Sequence, residues 1–295
     1  MKAWTALAWL AIQQQRKSSP FAVRALAPSY RTTTTAFSRL NPLTIHSLQS
    51  RTRCNMATAA ETTDIDNVDV AENLRQVREA VQAASSPDRP VRLVAVSKTK
   101  PIELLRKAYE EGDCRIFGEN YAQELVDKVP QLPDDVQWHF IGGLQSNKAN
   151  MLVNAFDDVS RVVVETVDKM KLANKLNNAV SSKGGKLKIF VQVNTSGEES
   201  KSGCEPSEVV TLCQSIADEC PHLEIMGLMT IGAPGDLSCF DTLAECRDKV
   251  QEVLGRPLEL SMGMSGDYVQ AIEKGATNVR VGSTIFGARN YANKA

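Results

Sequence analysis

The feature of this sequence that most constrains its fold is a repeated change of hydrophobic period after residue 66. Short apolar runs, of the kind buried on both faces of a parallel sheet, occur at 91–96, 114–117, 138–141, 159–164, 188–193, 224–230, 258–261 and 278–281. Helical patterns lie around and between them, at 67–84, between Pro101 and Gly112, and at 120–129, 145–155, 168–181, 206–219, 237–254 and 265–274. Strands separated by helices of this length indicate right-handed βαβ units and a parallel sheet.

Eight such units favour closure of the sheet into a barrel. We therefore predict an α/β fold, a single (β/α)8 TIM barrel over residues 66–292. An open doubly wound sheet is the alternative, but the first strand is not followed by the G-x-G-x-x-G turn of a dinucleotide-binding fold. A chain of 295 residues with 42% hydrophobic residues can bury one large core, and so one globular domain is expected.

Charge separates residues 1–60 from this domain. The segment holds eight Lys or Arg and no Asp or Glu, whereas the remainder holds 26 basic and 35 acidic residues, a net charge of −9. A basic, Ser/Thr-rich, acid-free leader is typical of an organellar transit peptide, which predicts a mitochondrial or plastid location. A secretory signal is the alternative, because Lys2 precedes an apolar run at 3–12, but the basic residues continue far beyond it. A second start at Met56 would yield a cytosolic form without the leader.

Several classes of partner and site are not indicated by the sequence. The seven cysteines include no C-x-x-C pair, which argues against a disulfide framework or a zinc site and favours a reducing compartment. No apolar stretch reaches the roughly 18 residues of a membrane span. The acidic domain also lacks the basic stripe of a nucleic-acid-binding surface. We therefore expect neither a membrane nor a nucleic acid as a partner.

Polar and glycine-rich segments follow the predicted strands, where a barrel carries its functional residues. They are 97–100, 118–121, His139 with Gly142-Gly143, Glu165, Asn194-Thr195, Met229-Thr230, 261–265 and 280–284. Because the carboxyl ends of parallel barrel strands meet at one rim, we expect these groups to converge there.

Lys98 directly follows the first predicted strand. An amine held at the mouth of an apolar barrel loses its solvent, and its neutral form is then a nucleophile for a carbonyl carbon. A solvated lysine at a strand end is the alternative. Lys100 is the weaker candidate, because Pro101 places it at the start of the next helix and outside the strand.

A phosphate-sized site is predicted on the other side of the rim. Loops after strands seven and eight often bind phosphate in this fold, and here they read S-M-G-M-S (261–265) and G-S-T (282–284). Ser265 also lies at the start of a helical pattern, where a hydroxyl, free amides and the helix dipole favour an anion; an ordinary helix cap is the alternative. A carbonyl-seeking amine opposite a phosphate cradle matches the two ends of pyridoxal 5'-phosphate (PLP).

Arg280, between Val279 and Val281, is predicted to point into the barrel. A permanent cation beside a pyridine nitrogen would keep that nitrogen unprotonated and weaken the ring as an electron sink. A buried ion pair, with Glu165 as its partner, is the alternative. His139 could act as an acid or base, but a histidine on an apolar strand is more often a hydrogen-bonded core residue.

Seven segments closely resemble those of the YggS-type pyridoxal phosphate homeostasis proteins. They are A-V-S-K-T-K-P (95–101), F-G-E-N-Y-A-Q-E (117–124), W-H-F-I-G-G-L-Q-S-N-K (138–148), V-N-T-S-G-E-E-S-K-S-G (193–203), G-L-M-T-I (227–231), L-S-M-G-M-S-G-D (260–267) and V-R-V-G-S-T-I-F-G-A-R (279–289). The resemblance covers about residues 66–292. It implies a fold-type III PLP-binding barrel, similar to the N-terminal domain of alanine racemase.

The same resemblance implies roles for individual residues. Lys98 would carry PLP covalently as an internal aldimine, and Arg280 would face the pyridine nitrogen. The phosphate contacts fall to Ser261 or Ser265, with Gly282 and Ser283. Asn120 and Asn194 at the same rim complete the predicted cofactor-binding set, and neither a catalytic residue nor a metal site is predicted.

The implied role is a carrier or buffer in intracellular PLP homeostasis, with an indirect effect on amino-acid and keto-acid balance, rather than an enzyme. PLP, other B6 vitamers and apo-PLP enzymes are the implied partners of a monomer or weak dimer. Alanine racemases add a β-domain after the barrel, which we do not expect here because only residues 286–295 follow the phosphate loop. Two alternatives stay open: a PLP-dependent, racemase-like amino-acid enzyme and a cofactor-free Schiff-base aldolase.

Overall fold

The computed structural model describes residues 67–198, 201–233 and 235–288. The leader predicted over 1–60 and the residues 289–292 of the predicted barrel lie outside this part of the chain. Within it, eight parallel strands close into a barrel in chain order. The last strand pairs with the first along four residue pairs, from Arg92 with Asn278 to Ala95 with Val281. The predicted (β/α)8 barrel is therefore confirmed, and the doubly wound alternative is excluded.

Strands and helices alternate through the described residues. The strands are β1 Arg92–Val96, β2 Ile116–Glu119, β3 Gln137–Phe140, β4 Val162–Val167, β5 Leu187–Gln192, β6 Leu223–Met229, β7 Glu259–Ser261 and β8 Asn278–Val281. The α-helices are α1 Val70–Ala84, α2 Ile102–Glu110, α3 Ala122–Lys128, α4 Ala149–Asn154, α5 Met170–Ser181, α6 Val209–Glu219, α7 Ser238–Leu254, α8 Tyr268–Glu273 and α9 Ser283–Phe286. Single 3-10 turns lie at Val129–Gln131, Ser146–Lys148 and Val159–Arg161.

Local sequence explains how the longer helices begin and end. Asp69 caps α1, where its carboxylate accepts a hydrogen bond from the Glu72 amide at 3.0 Å. The buried face of α1 carries Val70, Leu74, Val77 and Val81, at the spacing of a helix that packs on a sheet. Gly255 ends α7 with φ of 64°, a left-handed conformation that glycine adopts without steric cost.

The strands are buried on both faces, and each face has its own composition. Residues such as Phe117, Trp138 and Phe140 form the main core with the surrounding helices. Alternate residues of β4, β5 and β6 point the other way, and Val163, Phe190 and Met229 form a smaller cluster inside the barrel. The same alternation turns a set of buried polar side chains inward: His139, Glu165, Ser261, Asn278 and Arg280.

Three boundaries differ from the sequence prediction in ways that affect the site. Strand β2 ends at Glu119 rather than at 117, and β4 ends at Val167 rather than at 164, so that Glu119 and Glu165 are buried strand residues. Helix α8 begins at Tyr268, and the prediction that Ser265 starts this helix is wrong. The reason is a tight turn, in which the Met264 carbonyl accepts hydrogen bonds from the Asp267 and Tyr268 amides.

Two further absences concern the described residues alone. No helix in them combines the length and the hydropathy needed to cross a bilayer. Likewise, no group of three or more His, Cys, Asp or Glu side chains in them is arranged to hold a metal ion.

Candidate functional site

A cavity of about 220 Å³ opens at the carboxyl ends of the strands, between β1 and the loops after β7 and β8. Five of the eight predicted binding residues line it: Lys98, Ser265, Arg280, Gly282 and Ser283. Val96, Lys100, Ile141, Met264, Gly266 and Gly287 complete the wall. Three larger clefts, of about 570, 700 and 750 Å³, are lined by neither Lys98 nor Arg280. The predicted amine and the predicted anion loops therefore share one space.

The position of Lys98 follows from the alternation of β1. Val94 and Val96 face the inside of the barrel, and Lys98 continues this series as a half-buried residue of the cavity wall. A turn closes directly after the strand, because the Lys100 amide donates to the Ser97 carbonyl at 3.0 Å.

Lys100 lies outside strand β1, as predicted, but it lines the same cavity as Lys98. The turn brings it back to the mouth of the barrel. Its Nζ donates to the Ala288 carbonyl at 2.7 Å. Of the two lysines, Lys98 is the one that continues the inward-facing series of β1.

The two anion loops are tied to each other. Ser265 Oγ accepts a hydrogen bond from the Gly282 amide at 3.1 Å. A Cβ on Gly282 would lie 3.2 Å from both the Cβ and the carbonyl oxygen of Val96, so a glycine allows the end of β8 to approach β1 closely. Helix α9 starts at Ser283, and the first amides of a helix have no acceptor within it. The loops thus present hydroxyl and amide donors at the cavity.

Arg280 is buried, with 4% of its surface exposed, and its guanidinium is fixed on several sides. Nη1 donates to the Ser261 carbonyl at 3.0 Å and to Ser261 Oγ at 2.6 Å, and Nη2 donates to the Thr230 carbonyl at 2.7 Å. Glu165 Oε2 lies 3.7 Å from Nη1. Burial lowers the pKa of Arg280 below its ordinary value, and the charge of Glu165 opposes this shift. Arg280 therefore lines the cavity and also forms the ion pair with Glu165 that the sequence offered as its alternative role.

Glu165 is the centre of this buried network. Its Oε1 lies 2.5 Å from His139 Nδ1 and accepts from Asn278 Nδ2 at 3.2 Å, while its Oε2 accepts from Ser261 Oγ at 2.5 Å. Burial acts to raise the pKa of Glu165, but the hydrogen bond and charge of His139, with Arg280 and Ser261, hold it below the ordinary value. His139 is thus a hydrogen-bonded core residue, as the sequence favours.

Three predicted binding residues lie away from the cavity wall. Ser261 is fully buried, and its hydroxyl is engaged by Glu165 and Arg280, whereas Ser265 faces the cavity. Asn194 orders its own loop, since its Nδ2 donates to the Glu198 carbonyl at 3.1 Å. Asn120 Oδ1 is buried and has no hydrogen-bond partner among the described residues. Cofactor contacts of these three side chains stay predictions.

Two groups of residues around the site were not found by sequence reasoning. Asn278 shares the inward face with Arg280, and the i, i+2 spacing of two polar residues in β8 was the available signal. Lys128 is buried behind β1 together with Glu119, although lysine is rarely buried and nothing in its helical pattern marks it.

The chain is similar to known proteins along the whole barrel. The family described as alanine racemase, N-terminal domain, matches residues 65–290. The pyridoxal phosphate homeostasis protein of Bos taurus is 48% identical over 243 residues, which cover 75% of this chain and 88% of that protein. The protein of the same name from Homo sapiens is 46% identical over 246 residues, which cover 75% and 87%.

A solved structure shows the same similarity. PipY of Synechococcus elongatus PCC7942, determined with PLP bound, has a TM-score of 0.63 at 33% identity, and the match covers 74% of this chain and 100% of that one. The chain therefore belongs to the pyridoxal phosphate homeostasis proteins, whose barrel is the one found in the N-terminal domain of alanine racemase.

Proposed function

We propose that the chain binds PLP in the 220 Å³ cavity, holds it covalently on Lys98 and serves intracellular PLP homeostasis as a carrier or buffer. The observation that carries the proposal is that Lys98 and the Ser265–Gly282 loop pair line one small cavity. The pyridoxal phosphate homeostasis proteins of Bos taurus and Homo sapiens and the PLP-bound structure of PipY support the proposal.

The residues present fit this cofactor. The cavity is smaller than the roughly 300–1,000 Å³ of sites for drug-sized ligands, which suits one aromatic ring with short substituents. Amide and hydroxyl donors at Ser265 and Ser283 suit a phosphate dianion. When bound, PLP supplies an aldehyde and an electron-accepting ring.

Each side chain of the site has a defined task in this proposal. Lys98 would hold the cofactor through its amine, which would condense with the aldehyde and release the aldehyde oxygen as water. Ser265, Gly282 and Ser283 orient the phosphate. Arg280, held by Ser261 and Glu165, would place a permanent cation beside the pyridine nitrogen, where an acidic side chain could otherwise protonate it.

Borohydride trapping tests the covalent attachment. We expect purified protein to absorb as a PLP Schiff base, and borohydride reduction followed by peptide mapping to find the cofactor on Lys98. Lys98→Ala should abolish trapping, whereas Lys171→Ala, on the exposed side of α5, should leave it unchanged. Trapping on Lys100 would contradict the assignment. A colourless resting protein that is trapped only with a carbonyl substrate would favour the aldolase instead.

A racemase-like activity is the second candidate, since the matched family is that of the alanine racemase barrel. Among the described residues of the cavity wall, the titratable side chains besides Lys98 are Lys100 and Arg280. Lys100 is turned to the Ala288 carbonyl, and Arg280 limits the ring as an electron sink. We therefore propose a binding protein, and expect no exchange of the alanine α-proton in deuterated water by NMR. Exchange that depends on Lys98 would favour the enzyme.

Delivery to other proteins is a separate part of the proposal. A carrier must release PLP, and the half-buried Lys98 lies at the open end of the barrel, where solvent and acceptors can reach it. We expect the loaded protein to restore activity to an apo-transaminase. If reactivation were no faster than with the same concentration of free PLP, the protein would act as a buffer and not as a carrier.

A further inference from the structure

A cluster of one serine and three charged side chains lies behind β1, on the side of the sheet opposite the cavity. We call Ser97, Glu119, Glu124 and Lys128 the rear cluster. Lys128 Nζ donates to Glu119 Oε1 and to Glu124 Oε1, both at 2.7 Å, and to the Ser97 carbonyl at 2.9 Å. Lys128 is 6% exposed and Glu119 is fully buried. This ammonium therefore contacts the residue directly before Lys98.

Strand alternation connects the rear cluster to the cavity. Lys98 points into the barrel, whereas Ser97 points outward, where its Oγ donates to Glu119 Oε1 at 2.7 Å. Both the side chain and the carbonyl of Ser97 are thus held from behind. The direction of Lys98 depends on these bonds, because the two residues share one peptide unit.

The residue after Lys98 is held by the same cluster. Thr99 has φ of 61°, in the left-handed region that a β-branched residue seldom adopts. Its amide donates to Glu124 Oε1 at 2.7 Å, the same oxygen that accepts from Lys128. One carboxylate therefore joins the strained turn to the buried ammonium.

We propose that Glu124 and Lys128 are positioning residues for Lys98, which hold the turn 97–100 in the conformation that directs its amine into the cavity. Buried ion pairs contribute little to stability compared with apolar side chains of the same size, so their presence behind a reactive residue calls for another role. Residues held in disfavoured backbone conformations likewise concentrate at functional sites. The inference rests on the proposed function, since positioning has a purpose only if Lys98 reacts.

The test compares substitutions on helix α3. Glu124→Ala removes the acceptor for the Thr99 amide, and we expect it to slow borohydride-trapped attachment of PLP to Lys98 by about tenfold, the factor by which a left-handed threonine is disfavoured. Glu124→Gln keeps an oxygen acceptor and should stay within about threefold of the unmodified protein. Asp127→Ala, an exposed carboxylate on the same helix, is the matched control and should change nothing.

Two further measurements separate positioning from general stability. Hydrogen exchange of the Thr99 amide, measured without PLP, should become faster in Glu124→Ala and stay slow in Glu124→Gln. Adding Thr99→Gly to Glu124→Ala should restore most of the trapping rate, because glycine adopts the left-handed conformation without support. A loss of global stability would not be repaired by that glycine.

The outcomes are distinguishable. Slow trapping in Glu124→Ala with rescue by Thr99→Gly supports the inference. Equal trapping rates in the unmodified protein and in Glu124→Ala would overturn the inference alone. An unmodified protein that traps no PLP on Lys98 would overturn the proposed function, and this inference with it.

Discussion

At the scale of single residues, buried polar groups in this barrel are connected rather than isolated. Arg280 reaches the cavity only because Ser261, Thr230 and Glu165 satisfy its donors, and Glu165 in turn is satisfied by His139 and Asn278. A buried charge without such partners would cost several kcal/mol. The cation at the cavity is therefore a property of the network.

Glu165→Gln tests the electrostatic contribution of this network. The folded-state pKa of Glu165 lies below the ordinary value of 4.5, so its ionised form stabilises the native protein above that pH. We expect the substitution to lower the free energy of unfolding by about 3 kcal/mol at neutral pH, because it breaks a buried ion pair. The difference between variant and unmodified protein should shrink as the pH falls below 4.5, in urea titrations at several pH values. If the difference in unfolding free energy did not change with pH, the charge of Glu165 would not be the source of the stabilisation.

The buried cysteines give a second prediction at this scale. Burial raises the pKa of Cys114 to about 11 and that of Cys204 and Cys213 to about 12. The thiolate is the reactive form, so these thiols should be nearly inert to a disulfide reagent in the native protein and react at once in urea. Peptide mapping of the modified protein would identify each site. Fast labelling of Cys213 in the native state would show that α6 opens.

At the scale of elements, close approach of the loops after β2 and β3 depends on one glycine. A Cβ on Gly142 would lie 2.0 Å from the Asn120 carbonyl oxygen, whereas a Cβ on the neighbouring Gly143 has open space around it. We expect Gly142→Ala to lower the free energy of unfolding by about 3 kcal/mol, because backbone must move, and Gly143→Ala to change it by less than about 0.5 kcal/mol. Urea unfolding of the two variants makes the comparison. Similar effects would mean that the loops can separate without cost.

The elements themselves could largely be predicted from the sequence. Runs such as 188–193 are apolar at every position because both faces of the sheet are buried, and their number and order determine the barrel. Strand ends were less certain, since a buried polar residue such as Glu165 looks like the start of a loop. The hydrogen-bond partners of that carboxylate come from other strands, so the local sequence does not indicate them.

The site was likewise predictable from the sequence only in part. Lys98, Arg280 and the loops 261–265 and 282–284 could be placed at one rim, because parallel strands share a carboxyl end. The sequence left Ser261 and Ser265 open as phosphate contacts, because it does not give the register of β7, which turns Ser261 inward to Glu165. The rear cluster could not be predicted, because the partners of Lys128 come from a strand, a turn and a helix.

At the scale of the whole molecule, the cavity exists only when the barrel is closed. Lys98 and Gly282 are far apart in the chain, and the pairing of Ala95 with Val281 brings them together. Every residue of the cavity wall lies between Val96 and Gly287, within the family match of 65–290. A ligand that bridges β1 and β8 should therefore stabilise the entire fold, by about 2.7 kcal/mol at a hundred times its dissociation constant.

Because the cavity depends only on closure of the barrel, the basic leader should not affect it. We propose that the leader, predicted over residues 1–60, directs the chain to an organelle and contributes nothing to PLP binding. A chain that starts at Met56 should then have the same urea midpoint as the full chain, and the same upward shift of that midpoint when PLP is added, because all strands and the cavity are retained. Lys98→Ala in both chains is the control, since it should reduce the PLP-dependent shift equally. A smaller shift in the shortened chain alone would show that the leader contributes to the site.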